Sequence, residues 1–150
     1  MINPDDVPDV EDDEMLARFI VAGQSTKSLR KYVRENNTVK PQLFLPYKRV
    51  ELSVNRHRDC DEGEIWNFGE AIAAYREMAF YGRSDIAVVS CTFDKLSVVA
   101  KPIRQHPQDV PDNPNHADIV GFPAAKEDQL SLAEKLAAKA TDRQAPPDSE

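Results

Sequence analysis

The stretch Lys40–Arg58, KPQLFLPYKRVELSVNRHR, joins an apolar, strand-like run to a cluster of cationic and hydrogen-bonding side chains. Val50, Leu52 and Val54 alternate with Glu51, Ser53 and Asn55, and a period of two sets the three apolar residues on one face of a strand expected over 47–55. Arg56 falls on that same face. An arginine there must either leave the core or find a carboxylate or an anion. His57 and Arg58 close the row.

Upstream, Pro41 and Pro46 bracket Gln42–Leu45, which reads as extended backbone outside the centre of a sheet. Ser25 or Thr26 caps a short helix through Leu29, Tyr32 and Val33 that Asn36 and Asn37 stop. Leu16, Phe19 and Ile20 make an i, i+3, i+4 stripe, so a helix is expected from about Asp12 to Ala22, ended by Gly23. Downstream, Asp61 and Glu64 have the spacing of a capping box, with Cys60 and Ile65 placed as a hydrophobic staple. The helix they open carries Ile65, Phe68, Ile72, Tyr75 and Ala79 along one face and is expected to run to about Phe80, with Gly82 as its stop. Ile86–Cys91 and Leu96–Ala100 read as a central β-hairpin, 102–114 as a loop containing His106, 116–120 as a last extended segment, and 126–140 as a terminal helix.

These elements predict an α+β fold: one domain over 11–140, with a small, mostly antiparallel sheet packed by about four helices, between disordered tails at 1–10 and 141–150. A chain of 150 residues is long enough to bury roughly 70% of its unfolded surface around one core. No apolar run is long enough to cross a bilayer, and the amino-terminal region is acidic where a signal peptide would be basic and then apolar. A soluble, cytoplasmic protein with no membrane association is expected. Cys60 and Cys91 form no metal-ligand or redox pair in the sequence and read as free thiols. With five glycines and no glycine-rich phosphate loop, a P-loop or dinucleotide site is disfavoured.

The net charge of −7 is unevenly spread. Residues 1–14 carry seven acids and no base, whereas 27–58 carry nine bases against Glu35 and Glu51. A basic block of this kind is either a footprint for a partner protein or nucleic acid, or a surface neutralised by the chain's own acids. The runs KPQLFLP, ELSVNRH, GEIWNFGE, YGRSD and NPNHADIVGFP, in that order, resemble a family of small bacterial proteins. The resemblance covers about Leu16–Ala140, implies a compact cytosolic protein, and brings no activity or catalytic residue with it.

Candidate chemistry therefore rests on side chains. If 116–120 is extended, His116 and Asp118 share a face, and a His-x-Asp pair beside His57 could move protons while Arg56 and Arg83 hold an anion. Ser53, Asn55 and Asn115 add hydrogen-bonding groups, and Trp66 either packs the core or lines a cleft. A metal at His57, His116 and Asp118 would need ligands from distant segments, so neither metal nor cofactor is expected. Two functions follow: a non-catalytic binding or accessory module using the 27–58 surface, or a small enzyme acting on a phosphorylated or nucleotide-like substrate. They part on one geometric point, whether Arg56 and His116 reach the same side of the sheet.

Overall fold

The computed structural model describes residues 1–46, 50–104 and 111–147. Strands β1 (Met15–Ala22), β2 (Leu52–Arg56), β3 (Ala79–Ala87), β4 (Ser97–Ala100) and β5 (His116–Val120) build one antiparallel sheet in the order β3-β1-β2-β5-β4. Helices α1 (Thr26–Arg30), α2 (Glu62–Tyr75), α3 (Val88–Phe93) and α4 (Lys126–Lys139), with a 3-10 turn at Pro41–Phe44, complete the described fold. It is an α+β fold, as the sequence led one to expect, and among the described residues no helix is long and apolar enough to cross a membrane.

Residues directly opposite in an antiparallel ladder project to the same side, so the registers sort every strand residue onto one of two faces. Leu16 and Ile20 of β1, Leu52 and Val54 of β2, Ile86 of β3 and Ala117 and Ile119 of β5 share the first face. They pack with Leu43 and Phe44 of the 3-10 turn, Val88 and Cys91 of α3, and Ala133 and Leu136 of α4 in the main core. The second face carries Ala17 and Phe19, covered by Ile65, Phe68 and Ile72 of α2. That helix starts as its sequence dictates: Glu64 N donates to Asp61 Oδ1 at 2.8 Å, and Asp61 N donates to Glu64 Oε1 at 3.2 Å. Helix α1 is capped by Ser25, whose Oγ accepts from Ser28 N.

Four expectations are corrected. The helix expected over 12–22 is strand β1, because a central strand apolar on both faces fills the i, i+3, i+4 positions as well as a helix does. The central hairpin 86–91/96–100 does not form: Ile86 and Ala87 end β3, Val88–Phe93 turn into α3, and β3 and β4 lie on opposite edges of the sheet. A short apolar run cannot be told from a buried helix turn by periodicity, and here Val88 and Cys91 are buried while Val89 is exposed. Helix α2 ends at Tyr75, short of Phe80, where Glu77 turns the chain with a positive φ of 55° into β3. Of Gln42–Leu45, read as extended, only Leu45 is so; Gln42, Leu43 and Phe44 belong to the 3-10 turn that Pro41 starts.

Of the strand expected over 47–55, residues 52–55 lie in β2 and Val50 is exposed, while Tyr47, Lys48 and Arg49 fall outside the described residues, as does His106. The stretches expected as tails are docked where they are described. Ile2 is buried and its N–H donates to Asn115 Oδ1 at 2.9 Å. Gln144 exchanges both backbone hydrogen bonds with Arg83 (2.8 and 3.0 Å), which adds a short bridge to β3. Gly82 permits that docking: its φ is +117°, and a Cβ there would collide with the Gln144 carbonyl.

Candidate ligand cavity

The residues singled out in the sequence divide among three places. Arg56 pairs in register with Leu16, which puts its side chain on the main-core face, and it is fully buried. Its Nε and Nη2 donate to Glu14 Oε1 and Oε2 at 2.7 and 2.8 Å, while Nη1 and Nη2 donate to the Pro8 and Asp9 carbonyls. Burial alone would push the Glu14 carboxyl up, but the hydrogen bonds and charge of Arg56 hold it below its ordinary value. Arg58 stands 3.6 Å from the same carboxylate. Asn115, also fully buried, donates through Nδ2 to the Arg56 and Arg58 carbonyls, both at 2.8 Å. Arg56 and Asn115 thus tie the amino-terminal segment to the end of β2, and the acid that serves Arg56, Glu14, comes from the acidic stretch read as a tail and a first helical turn.

On the second face, at the β3 edge, His57 Nε2 lies 3.1 Å from Asp85 Oδ1, and Arg83 Nε donates to Asp85 Oδ2 at 3.3 Å. Arg83 also donates to Glu62 and covers the Trp66 ring at 4.6 Å. Gln144 Nε2 donates to Asp85 Oδ2 at 2.9 Å. Burial would raise the Asp85 carboxyl, yet His57, Gln144 and Arg83 hold it below its ordinary value. Trp66 makes an edge contact with Phe80 and belongs to this packed cluster. Asp85 had no signal in the sequence, since YGRSD lacks any apolar period.

The third place is β5. His116 pairs with Asn55 and Asp118 with Ser53, so all four project from the second face. His116 Nε2 stands 3.8 Å from Asp118 Oδ1, and His116 Nδ1 is 2.9 Å from the Lys101 carbonyl. Burial and a hydrogen bond with Glu51 raise the Asp118 carboxyl, opposed by His116. Arg56 and His116 therefore lie on opposite faces of the sheet. The set drawn from the sequence does not converge on one pocket: His57 and Arg83 share the Asp85 cluster, whereas His116 and Asp118 make a separate pair.

What lies beside that pair is a cavity of about 760 Å³. β1 and β2 pair only at Leu16–Arg56 and Ala17–Asn55, although β1 runs on to Ala22. Past Ala17 the strands part, and the cavity occupies the opening between β1, β2, the 3-10 turn and the carboxy-terminal half of α2. Phe19, Val21, Leu43, Leu45, Phe68 and Ile72 give it apolar walls; Ser53, Asn55 and His116 give it polar ones. Asn55 is 1% exposed, and its Oδ1 accepts from Asn113 at 2.7 Å while its Nδ2 has no hydrogen-bond partner among the described residues.

Arg18 reaches across this opening. Its Nε donates to the Leu43 carbonyl at 2.8 Å and its Nη1 to the Ser53 carbonyl at 3.1 Å. No carboxylate among the described residues pairs with the half-buried Arg18; burial pushes its pKa down to about 10, opposed by Tyr32 and helped by the nearby charge of Arg76. Sequence reading missed Arg18. The signal available was a lone cation inside the apolar run MLARFIVA, which a surface helix would have explained and a central strand does not.

Compared with protein-family models, curated proteins and solved structures, the chain matches none, so the resemblance to a small bacterial family gains no support from these comparisons.

Proposed function

We propose that the chain is a non-catalytic binding module, cytoplasmic and of bacterial type, whose site is the cavity between the parted strands β1 and β2. The observation that carries this reading is the cavity itself. At about 760 Å³ it falls within the range of small-molecule sites, and its aliphatic and aromatic walls are joined by charged and hydrogen-bonding groups that could orient a ligand. Beyond Ala17 the neighbouring strands β1 and β2 part around it, at the expense of ladder hydrogen bonds that a close-packed sheet would form.

The enzymatic alternative on a phosphorylated or nucleotide-like substrate is less favoured, because the anion-holding Arg56 and the proton-moving His116 are on opposite faces. The 27–58 surface as a dock for a partner protein or nucleic acid is also weakened. Arg56 and Arg58 are held by Glu14, which leaves Lys27, Arg30, Lys31 and Arg34 on and after α1, and Lys40 before the 3-10 turn, as the described remainder of the basic block.

The test is chemical-shift mapping of the full chain against a panel of small aryl and alkyl compounds, neutral and charged. Hits that perturb Phe19, Leu43, Phe68 and Ile72 together support the reading. A panel with no hits, or with hits scattered away from these residues, contradicts it.

A further inference from the structure

We infer that the cavity takes an apolar monocarboxylic acid, with the carboxylate on Arg18 and the apolar body against Phe19, Phe68 and Ile72. This rests on the cavity being the binding site and adds the chemical class of its ligand.

Arg18 is half-buried, and a guanidinium partly withdrawn from water is stabilised when an anion accompanies it. Arg18 has two backbone carbonyls and no carboxylate among the described residues. The other cations of the cavity wall, Lys31 and Arg76, add to its field. Two acids also line the wall, and neither is paired with Arg18: Glu51 stands beside Asp118, and Asp112 has an interaction of its own. Nη2 of Arg18 makes no hydrogen bond among the described residues, and it is the edge left for an incoming oxygen. Charge-assisted hydrogen bonds to a guanidinium are about twice as strong as neutral ones, so an anion gains more here than a neutral acceptor.

Two features limit the anion to a single charge. Nε and one N–H of Nη1 are already spent on Leu43 and Ser53, so Arg18 has lost the Nε edge that a side-on fork to a phosphate needs. Helix α2 lines the cavity with Phe68, Ala71, Ile72, Tyr75 and its C-cap Arg76, which brings the negative end of the helix dipole to the site. A dianion would meet that dipole with too few donors to offset it. The rest of the described wall, largely aliphatic and aromatic, sets the remainder of the ligand as apolar.

The experiment is a titration of the isotope-labelled full chain at neutral pH with phenylbutyrate and with phenylbutyramide, which has the same shape and no charge. The inference predicts that the acid binds about tenfold or more tightly than the amide, with shifts at Arg18, Phe68 and Ile72. It predicts further that Arg18→Met removes this preference while amide binding persists. Equal affinity of the wild-type chain for acid and amide overturns the inference and leaves the cavity as a binding site for neutral molecules. Binding of the acid away from the cavity also overturns it. If neither compound binds, the inference fails, and the fragment panel then decides whether the cavity reading fails with it. The wild-type comparison needs no variant to fold.

Discussion

Two arginines of this sheet, Arg56 and Arg18, sit on neighbouring central strands and have been provided for in opposite ways. Arg56 is fully buried and holds a bidentate carboxylate and two carbonyls. Arg18 has two carbonyls, no carboxylate among the described residues, and a cavity in front of it. The chain supplies the counter-charge of the first from its own amino-terminal segment and, among the described residues, supplies none to the second. That difference separates an arginine that holds the fold together from one available to a ligand, and it can be attacked from either side.

The largest effect is expected at the satisfied site. Glu14→Gln leaves the Arg56 charge buried and unpaired, and removing one partner of a buried pair costs about 3–5 kcal/mol. Urea denaturation should show that loss; a change below about 1 kcal/mol would mean that Arg56 is no more dependent on its partner than Arg18 is. The same carboxylates set the acid limit of the fold. Glu14 and Asp85 have native values held below their ordinary 4.5 and 3.8, so their stabilisation is fully present above that range and is lost as the pH falls through the lowered values. Acid unfolding followed by circular dichroism should therefore lose part of its pH dependence in Glu14→Gln, and a curve of unchanged slope would count against the pairing.

At the unsatisfied site the expected change in stability is smaller. Arg18→Met deprives the carbonyls of buried Leu43 and exposed Ser53 of a donor, a cost of about 1–3 kcal/mol where the group is buried, but it also removes a half-buried charge and adds an apolar side chain to the wall. These terms oppose each other, and a net change within about 1 kcal/mol is expected by denaturation, in contrast with Glu14→Gln. A loss as large as that of Glu14→Gln would make Arg18 a structural residue too. Smaller still is Asp118→Asn. The native carboxyl of Asp118 is raised, so its favourable contribution exists below its ordinary 3.8 and is lost as the pH rises through the raised value. Replacing it should stabilise the fold by about 0.5 kcal/mol at neutral pH, with little gain near pH 3. Destabilisation at neutral pH would show that the His116 contact outweighs burial.

How much of this was readable in advance follows the same division. Local rules carry the capped starts of α1 and α2, the helix at 126–139 and the strand at 116–120, because caps and periodicities are written within a few residues. Arg56 too was legible as a cation needing a partner, since its position on the apolar face of β2 follows from alternation alone. The identity of the partner was not: Glu14 is 42 residues away and is one of seven acids in its stretch. β1 and β3 were lost for a related reason. A strand buried on both faces imitates a helical stripe, and the buried Arg83 and Asp85 of β3 pair with each other in a way that composition records only as polarity. The cavity was the least accessible of all, since it exists only where β1 and β2 part, and its walls come from segments spread between Arg18 and His116.

The central claim is that Arg18 is the end of the cavity at which a ligand's charge is placed. Intermolecular nuclear Overhauser contacts between phenylbutyrate and the full chain test it most directly. The account predicts contacts from the methylene beside the carboxylate to Arg18 and from the phenyl ring to Phe68 and Ile72. Contacts from the ring to Arg18 with the carboxylate end toward the His116 side, or contacts confined to the basic patch on α1, would contradict it.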